Sequence, residues 1–331
     1  MNQSLPPPLF LGEKTVERCL EMPACIEAVE AAFRDAACAG RAPSHGVLAI
    51  HAEGGGFHLK AALSDSGFFV AKLNGNFPGN PKRHGLPTIQ GLLLLADASN
   101  GTPLAVMHSG AVTRIRTAAA TGVAIRHLAP PKVRHTALIG CGAQAMDQLL
   151  AITAVLPETH LRLFDVTSGA AASLSGRAAS HGISVFIADT LEDACRGAEL
   201  IVTCTPARVP FLDLGLVAAG SLVVALGADH PEKSELDPML LTQSAIITDV
   251  TEQCAAFGDL HHALLSGAVT QGDVRAELGQ VVAGARAGRR TEQERIVFDS
   301  TGTPIQDLAA AALAWRRAVA TGDGCPLGFE D

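Results

Sequence analysis

From residue 136 to residue 250 the chain alternates short apolar runs with helical stretches. The strand candidates are "TALIG", "LRLFD", "ISVFI", "LIVTC", "SLVVALG" and "AIITDV". Helices fill most of the gaps, for example Gln144 to Val155 and Leu191 to Arg196, the latter behind Thr190 as its N-cap. That alternation calls for βαβ units and a parallel sheet. Six strands is the count of a doubly wound, dinucleotide-binding sheet.

Upstream the period differs. "PACIEAVEAAFRDAACAG" predicts a helix: Pro23 suits the first turn, Ile26, Val29, Phe33 and Ala37 share one face, and Gly40 stops it. "GFFVAKLNG", "GLLLLAD" and "TPLAVMHS" read as strands, and Asn100-Gly101 between the last two is a hairpin signal. Residues 41 to 112 therefore read as an antiparallel β region. "TRIRTAAATGVAIRHLAPP" is helical until Pro130 and Pro131 end it. The final helix, "IQDLAAAALAWRRAVATG", is expected to pack back on the first domain. A length of 331 residues carries a prior of roughly two domains.

Composition removes several function classes. The net charge is −8, with acidic and basic residues mixed along the chain, so no basic stripe argues for nucleic acid. Tyrosine is absent and there is one tryptophan, which leaves little to stack on bases. The N-terminus "MNQSLPPPLFLGEK" has no basic region followed by an apolar run and does not read as a signal peptide. No stretch approaches the roughly 20 apolar residues of a membrane span. The 8 cysteines are scattered, with no CxxC pair, and read as free thiols in a reducing cytoplasm.

Between the strand "TALI" and a helix lies "GCGAQA", a GxGxxA turn. Gly140 permits the tight turn, Gly142 lets the backbone approach a pyrophosphate, and Ala145 allows close helix–strand packing. The phosphates would sit on free N–H groups at the helix N-terminus. Roughly 20 residues further on, "LRLFD" ends in Asp165, placed to accept bonds from the ribose hydroxyls and to repel a 2′-phosphate. The pattern predicts NAD(H) rather than NADP(H).

The stretches "KLNGNFPGN", "GLPTIQGLLLLADASNGTPLAVM", "TRIRTAAATGVA", "ALIGCGAQA", "ALGADHPEKSELD" and "FDSTGTPIQDLA" resemble, in order, those of the ornithine cyclodeaminase/μ-crystallin family, over residues 72 to 309. The resemblance implies an α/β protein in which a Rossmann doubly wound parallel sheet, residues 114–304, is inserted in an α+β substrate-binding and dimerisation domain, residues 1–113 plus 305–331. It implies a homodimer acting on a small amino or imino acid. It further implies Lys72 in the substrate site, Arg116 on the substrate carboxylate and Asp229 facing the reacting amine. On the cofactor side it implies Lys233, Ser300, Thr301 and Gly302, joined by Ala143, Gln144, Thr205, Gly227 and Thr117. Some positions depart from the family pattern. His45, with Arg41 nearby, stands where many members carry an arginine or lysine. His108 replaces an aspartate after "LAVM". Lys60 replaces Met-Pro, and an extra cation there points to a substrate with a second carboxylate.

Hydride chemistry at an amino-acid α-carbon needs a cation pair for the carboxylate, an acid/base at the nitrogen, and the nicotinamide held against the α-carbon. Arg116 and Lys72 can supply the first, and Asp229 or Lys72 the second. From spacing alone Arg116 reads sooner as a surface or interdomain salt bridge and Lys72 as a solvated strand end, and Asp229 also reads as a turn former. His261-His262 reads as a helix face rather than a metal pair, and Arg289-Arg290 as a solvated loop. The expectation is an NAD-dependent amino-acid dehydrogenase or imine reductase that needs no metal. Its rivals are a cyclodeaminase using NAD⁺ catalytically and a non-catalytic ligand-binding protein.

Overall fold

The structure, a computed structural model, describes residues 7–39 and 45–328. In chain order the elements are β1 (Leu9–Leu11), α1 (Glu13–Cys19), α2 (Met22–Cys38), β2 (His45–Ala52), β3 (Gly55–Leu63), β4 (Phe68–Asn76), α3 (Asn80–Arg83), β5 (Ile89–Asp97), β6 (Pro103–His108) and α4 (Ser109–Leu128). Then come β7 (His135–Ile139), α5 (Ala145–Val155), β8 (His160–Phe164), α6 (Ala170–Ala179), β9 (Val185–Ile187), α7 (Leu191–Cys195), β10 (Leu200–Thr203) and β11 (Leu222–Ala225). They are followed by α8 (Pro238–Thr242), β12 (Ala245–Thr248), α9 (Thr251–Phe257), α10 (Asp259–Leu265), β13 (Val274–Glu277), α11 (Leu278–Val282), β14 (Ile296–Asp299), α12 (Pro304–Thr321) and β15 (Cys325–Pro326). The chain divides into two compact units, one comprising the N-terminal part to Ala32, Ala39–Arg116 and everything from Pro304, the other Phe33–Cys38 and Thr117–Thr303.

The first unit holds a seven-stranded sheet in the order β15-β1-β6-β5-β4-β3-β2. β2 to β6 form an antiparallel meander, and β1 adds parallel to β6. The β5–β6 turn uses the glycine that only its position requires: Gly101 sits at φ +78°, where an L side chain is strained, and the Asn100 side chain accepts the Thr102 N–H at 2.9 Å. Burial alternates along β5 as a pleated strand demands, with Leu93 and Leu95 fully buried and Leu92 53% exposed. α12 packs on β3 and β4, its Trp315 edge-on to Phe68 with ring centroids 5.7 Å apart.

The second unit is a doubly wound α/β layer. Its eight strands are all parallel, in the order β13-β12-β14-β11-β10-β7-β8-β9. The winding direction reverses between β7 and β10, and that switch point opens the ligand crevice of such sheets. β10, β11, β12 and β14 are buried along their whole length, as parallel strands covered on both faces must be. The six strands expected from the sequence are all present, but the sheet has two more. β14 lies between β11 and β12, in the middle of the sheet. Its four residues, "IVFD", are too short a run to separate from the "DSTG" turn beside it, and β13, "VRAE", has no apolar run at all.

Two local expectations change. The Arg289 side chain is not solvated: its Nε donates to the Leu128 carbonyl at 2.9 Å and its Nη1 to the Glu294 carbonyl at 2.6 Å, so it pins the end of α4. α4 also begins earlier than expected, at Ser109, because the His108 ring accepts the Ala111 N–H through Nδ1 at 3.2 Å. That is the capping bond an aspartate would make, and it accounts for a histidine at this place. No helix among the described residues is long and apolar enough to cross a membrane.

Candidate active site

In the first unit three charged side chains from three elements meet in the interior. Lys72 comes from the middle of β4, Arg116 from α4 and Asp307 from the first turn of α12, and each is at most 4% exposed. The Lys72 ammonium lies 2.7 Å from one Asp307 oxygen and donates to the Thr113 hydroxyl at 3.2 Å. Arg116 donates through Nε to the other Asp307 oxygen at 2.9 Å and through Nη1 to Gln306 Oε1 at 2.6 Å. Asp307 thereby fixes both cations. The buried Gln306 amide nitrogen has no partner among the described residues.

Taking charges out of water is costly, so proton affinities shift here. Burial lowers the Lys72 pKa most. Asp307 opposes that shift, while Arg116 and Lys60 add to it, and the result is about 7. For Asp307 burial pushes upward, but Arg116 and Lys72 together outweigh it and hold the carboxyl below its usual range. A lysine that titrates near neutrality beside a fixed arginine is equipped to move a proton. Lys60 is half-buried on β3 and pairs directly across from Lys72 in the antiparallel register. Arg41 lies outside the described residues, and so does the His45 side chain.

The glycine-rich turn of the second unit has the shape a pyrophosphate requires. Gly140 adopts φ +96°, and a Cβ there would lie 2.8 Å from Thr205 Cγ2. A Cβ on Gly142 would meet nothing within 4 Å, so that side of the backbone is open to a ligand. Among the described residues no side chain caps the N-terminus of α5, and the buried side-chain amide oxygen of Gln144 has no partner. Ala143 is exposed and Ala145 fully buried against the sheet. At the end of β8, Asp165 accepts the Cys141 N–H and the Thr167 N–H, both at 2.7 Å. That fixes the carboxylate beside the turn, and the residues present fit a dinucleotide.

The other residues expected on the cofactor side fall mostly just after strands of the same sheet. Thr205 and Gly227 follow β10 and β11, and both backbone N–H groups donate to Glu235 at 2.7 Å. Ser300, Thr301 and Gly302 follow β14 and are held by Asp249, which accepts the Gly302 N–H at 2.7 Å and the Ser300 hydroxyl at 3.0 Å. Thr117 is half-buried on α4. Asp229 follows β11, is exposed, and pairs with Lys233 at 2.5 Å. His261 and His262 bond to the Ala255 and Lys233 carbonyls, and among the described residues no three His, Cys, Asp or Glu side chains group to hold a metal.

The sequence reading missed Asp307 and Gln306 as site residues. The signal was present as the "QD" of "STGTPIQD". Nothing local announces that this aspartate reaches Lys72 and Arg116, which lie far away along the chain.

Known proteins share this fold. Alanine dehydrogenase of Archaeoglobus fulgidus is 35% identical over 321 residues, 97% of this chain and 98% of the relative. A solved archaeal alanine dehydrogenase dimer with bound NAD superposes with a TM-score of 0.92 at 34% identity, covering 98% of this chain and 99% of that one. Thermococcus litoralis Δ1-pyrroline-2-carboxylate reductase, solved with NADH and L-proline, gives a TM-score of 0.91 at 28% identity, covering 96% and 100%. A family model matches residues 8–322, and the chain belongs to the ornithine cyclodeaminase/mu-crystallin family.

Proposed function

We propose that the protein is an NAD-dependent oxidoreductase that passes hydride between nicotinamide and the α-carbon of a small amino or imino acid. The observation that carries this reading is the buried Lys72–Asp307–Arg116 cluster. Bound NAD(H) supplies or accepts the hydride. Arg116, locked by Asp307 and Gln306, presents its free edge to the substrate carboxylate. Lys72 gives a proton to the substrate nitrogen in reduction and takes it back in oxidation, and in its charged form it supports the carboxylate. Lys60, and with it His45 and Arg41, belongs to the same substrate side. Asp229 is a second proton handler, supported by its place after β11, where ligands bind in open sheets. Gly140, Gly142, Ala143, Gln144, Asp165, Thr205, Gly227, Lys233, Ser300, Thr301, Gly302 and Thr117 line the cofactor side. The test is isotopic: with NADH deuterated at its transferable position, the amino acid formed from a 2-oxo acid and ammonium carries deuterium at its α-carbon. Unlabelled product would contradict the reading. A cyclodeaminase, the activity in the family's own name, uses the same hydride internally and leaves no net change in nicotinamide.

NAD(H) is expected to bind more tightly than NADP(H), because Asp165 would meet the 2′-phosphate as a like charge. The cost is on the order of 1–3 kcal/mol, several-fold to a few hundred-fold in affinity. Titration of both cofactors checks it, and equal NADPH affinity would refute the role of Asp165.

The protein works as a homodimer on this reading, supported by the uncovered face of the first unit's sheet. Leu48, Leu59, Leu73 and Leu92 stand opposite one another across four adjacent strands. They are 38% to 54% exposed, with Ile50 and Phe57 beside them. So many aligned apolar side chains mark a contact surface rather than scattered exposure. Leu73→Glu is expected to convert the dimer to monomer in sedimentation experiments. An unchanged dimer would place the interface elsewhere. The site of action is the cytoplasm, in keeping with eight free cysteines.

A further inference from the structure

The buried carboxylate of Glu235 has no place in the chemistry above, yet it sits under the crevice that chemistry needs. Glu235 is fully buried. One of its oxygens accepts the Thr205 N–H at 2.7 Å and the Thr205 hydroxyl at 2.8 Å. The other accepts the Gly227 N–H at 2.7 Å and the Thr203 hydroxyl at 2.7 Å. One carboxylate therefore ties together the loops that leave β10 and β11, next to the switch point. The packing leaves no slack. A Cβ on Gly227 would lie 2.3 Å from the Thr205 carbonyl oxygen and 2.4 Å from the Glu235 carboxyl carbon. Thr205 in turn packs its methyl against Gly140, the first glycine of the phosphate turn. A contact path thus runs from Glu235 through Thr205 to the turn and through Gly227 to the end of β11.

We infer that Glu235 is a positioning residue for the dinucleotide: its ionised carboxylate holds the Thr205 and Gly227 loops and, through Thr205, the Gly140 turn in the shape that binds NAD(H). Four donors converge on it, two of them backbone N–H groups that cannot reverse their polarity. Only a group that accepts at both oxygens satisfies them all. An amide would turn a donor toward one of these N–H groups, and a proton on either oxygen takes a lone pair that one of the four donors uses. Among the described residues no cation is among its hydrogen-bond partners. The ionisable groups that influence or border it are the Asp259 carboxylate of α10, which accepts the Glu235 N–H at 2.8 Å, and the Cys204 thiol, which burial keeps protonated. Burial and then Asp259 push Glu235 up to about 7, so its charge, and with it the brace, is lost as pH falls through neutrality.

The inference rests on the NAD(H) site proposed above, and the test separates the two. NADH affinity is measured by fluorescence titration from pH 5.5 to 8.5 on the wild-type protein, Glu235→Gln and Asp259→Asn. The wild type should bind more weakly as pH falls through about 7, with a midpoint set by the Glu235–Asp259 pair. Glu235→Gln should bind NADH at least 10-fold more weakly at pH 8, with turnover at saturating NADH within a few-fold of wild type and no pH midpoint near 7. Asp259→Asn removes the charge that resists ionisation and should move the midpoint to lower pH. If Glu235→Gln does not fold, the Asp259→Asn midpoint still decides. Wild-type affinity in Glu235→Gln, or a midpoint that neither substitution moves, overturns the role of Glu235. If the wild-type protein does not bind NADH at any pH, the NAD(H) site itself is at fault.

Discussion

Lys72→Met is expected to lower turnover by about 10²–10⁴-fold, the usual size of a lost general acid/base. NADH affinity should stay within a few-fold of wild type. Methionine fills similar space without a charge, and Asp307 keeps its bond to Arg116, so folding should survive. The pH dependence gives a sharper signature. With Lys72 near 7, amine oxidation should speed up as pH rises through neutrality, because the neutral amine is the base. Reduction should slow over the same range, because the ammonium is the acid. Lys72→Arg keeps the charge but cannot release its proton, and should be as slow as Lys72→Met with this transition gone. A Lys72→Met enzyme within three-fold of wild type would remove Lys72 from the chemistry.

Asp307→Asn should be the most damaging change to the fold of the site. It leaves Lys72 and Arg116 buried together without their counter-ion, and stranding a buried charge costs about 3–5 kcal/mol. The sign with pH follows from the shift of Lys72. Its folded pKa lies below the unfolded value, so between about 7 and the ordinary lysine range the unfolded chain binds the extra proton. Stability from this group therefore rises with pH across that window, and its cost is fully present below it. Without Asp307 the lysine releases its proton more readily still. Denaturant melts should thus show the full loss at pH 6 and a smaller one at pH 9, where only Arg116 remains charged. Asp307 itself holds its charge below the usual carboxylate range, so its contribution persists to acid pH and disappears only as pH falls through that lowered value. Equal stability of Asp307→Asn and wild type at pH 6 would show that the aspartate does not hold the cations.

What could be read from the sequence was local. Asn100-Gly101 announced a hairpin because only a few residues tolerate its backbone, and Gly140 and Gly142 announced a phosphate turn for the same reason. The Thr190 cap, whose hydroxyl accepts the Asp193 N–H at 3.0 Å, follows from one residue type at one place. β14 escaped because a four-residue apolar run has no period, and its central position depends on the strands on either side. The Lys72–Asp307–Arg116 cluster escaped as a unit for a related reason. Each member sits on an ordinary strand or helix, and their meeting is set by the packing of α12 and α4 with the sheet. The resemblance marks Lys72 and Arg116, while Asp307 lies in "STGTPIQD" with nothing local to assign it a role. Glu235, in "KSELD", likewise owes its place to four donors, three of them more than 20 residues away along the chain.

The most direct measurement of the central claim is nicotinamide absorbance followed together with product analysis. The protein is supplied with NADH, ammonium and a panel of 2-oxo acids, then with preformed cyclic imines, and separately with NAD⁺ and diamino acids. The account predicts that at least one oxo acid or imine is reduced with one NADH consumed for each amino acid formed. Release of ammonia and ring closure from a diamino acid, with no net change in absorbance and no reduction of any oxo acid or imine, would contradict it.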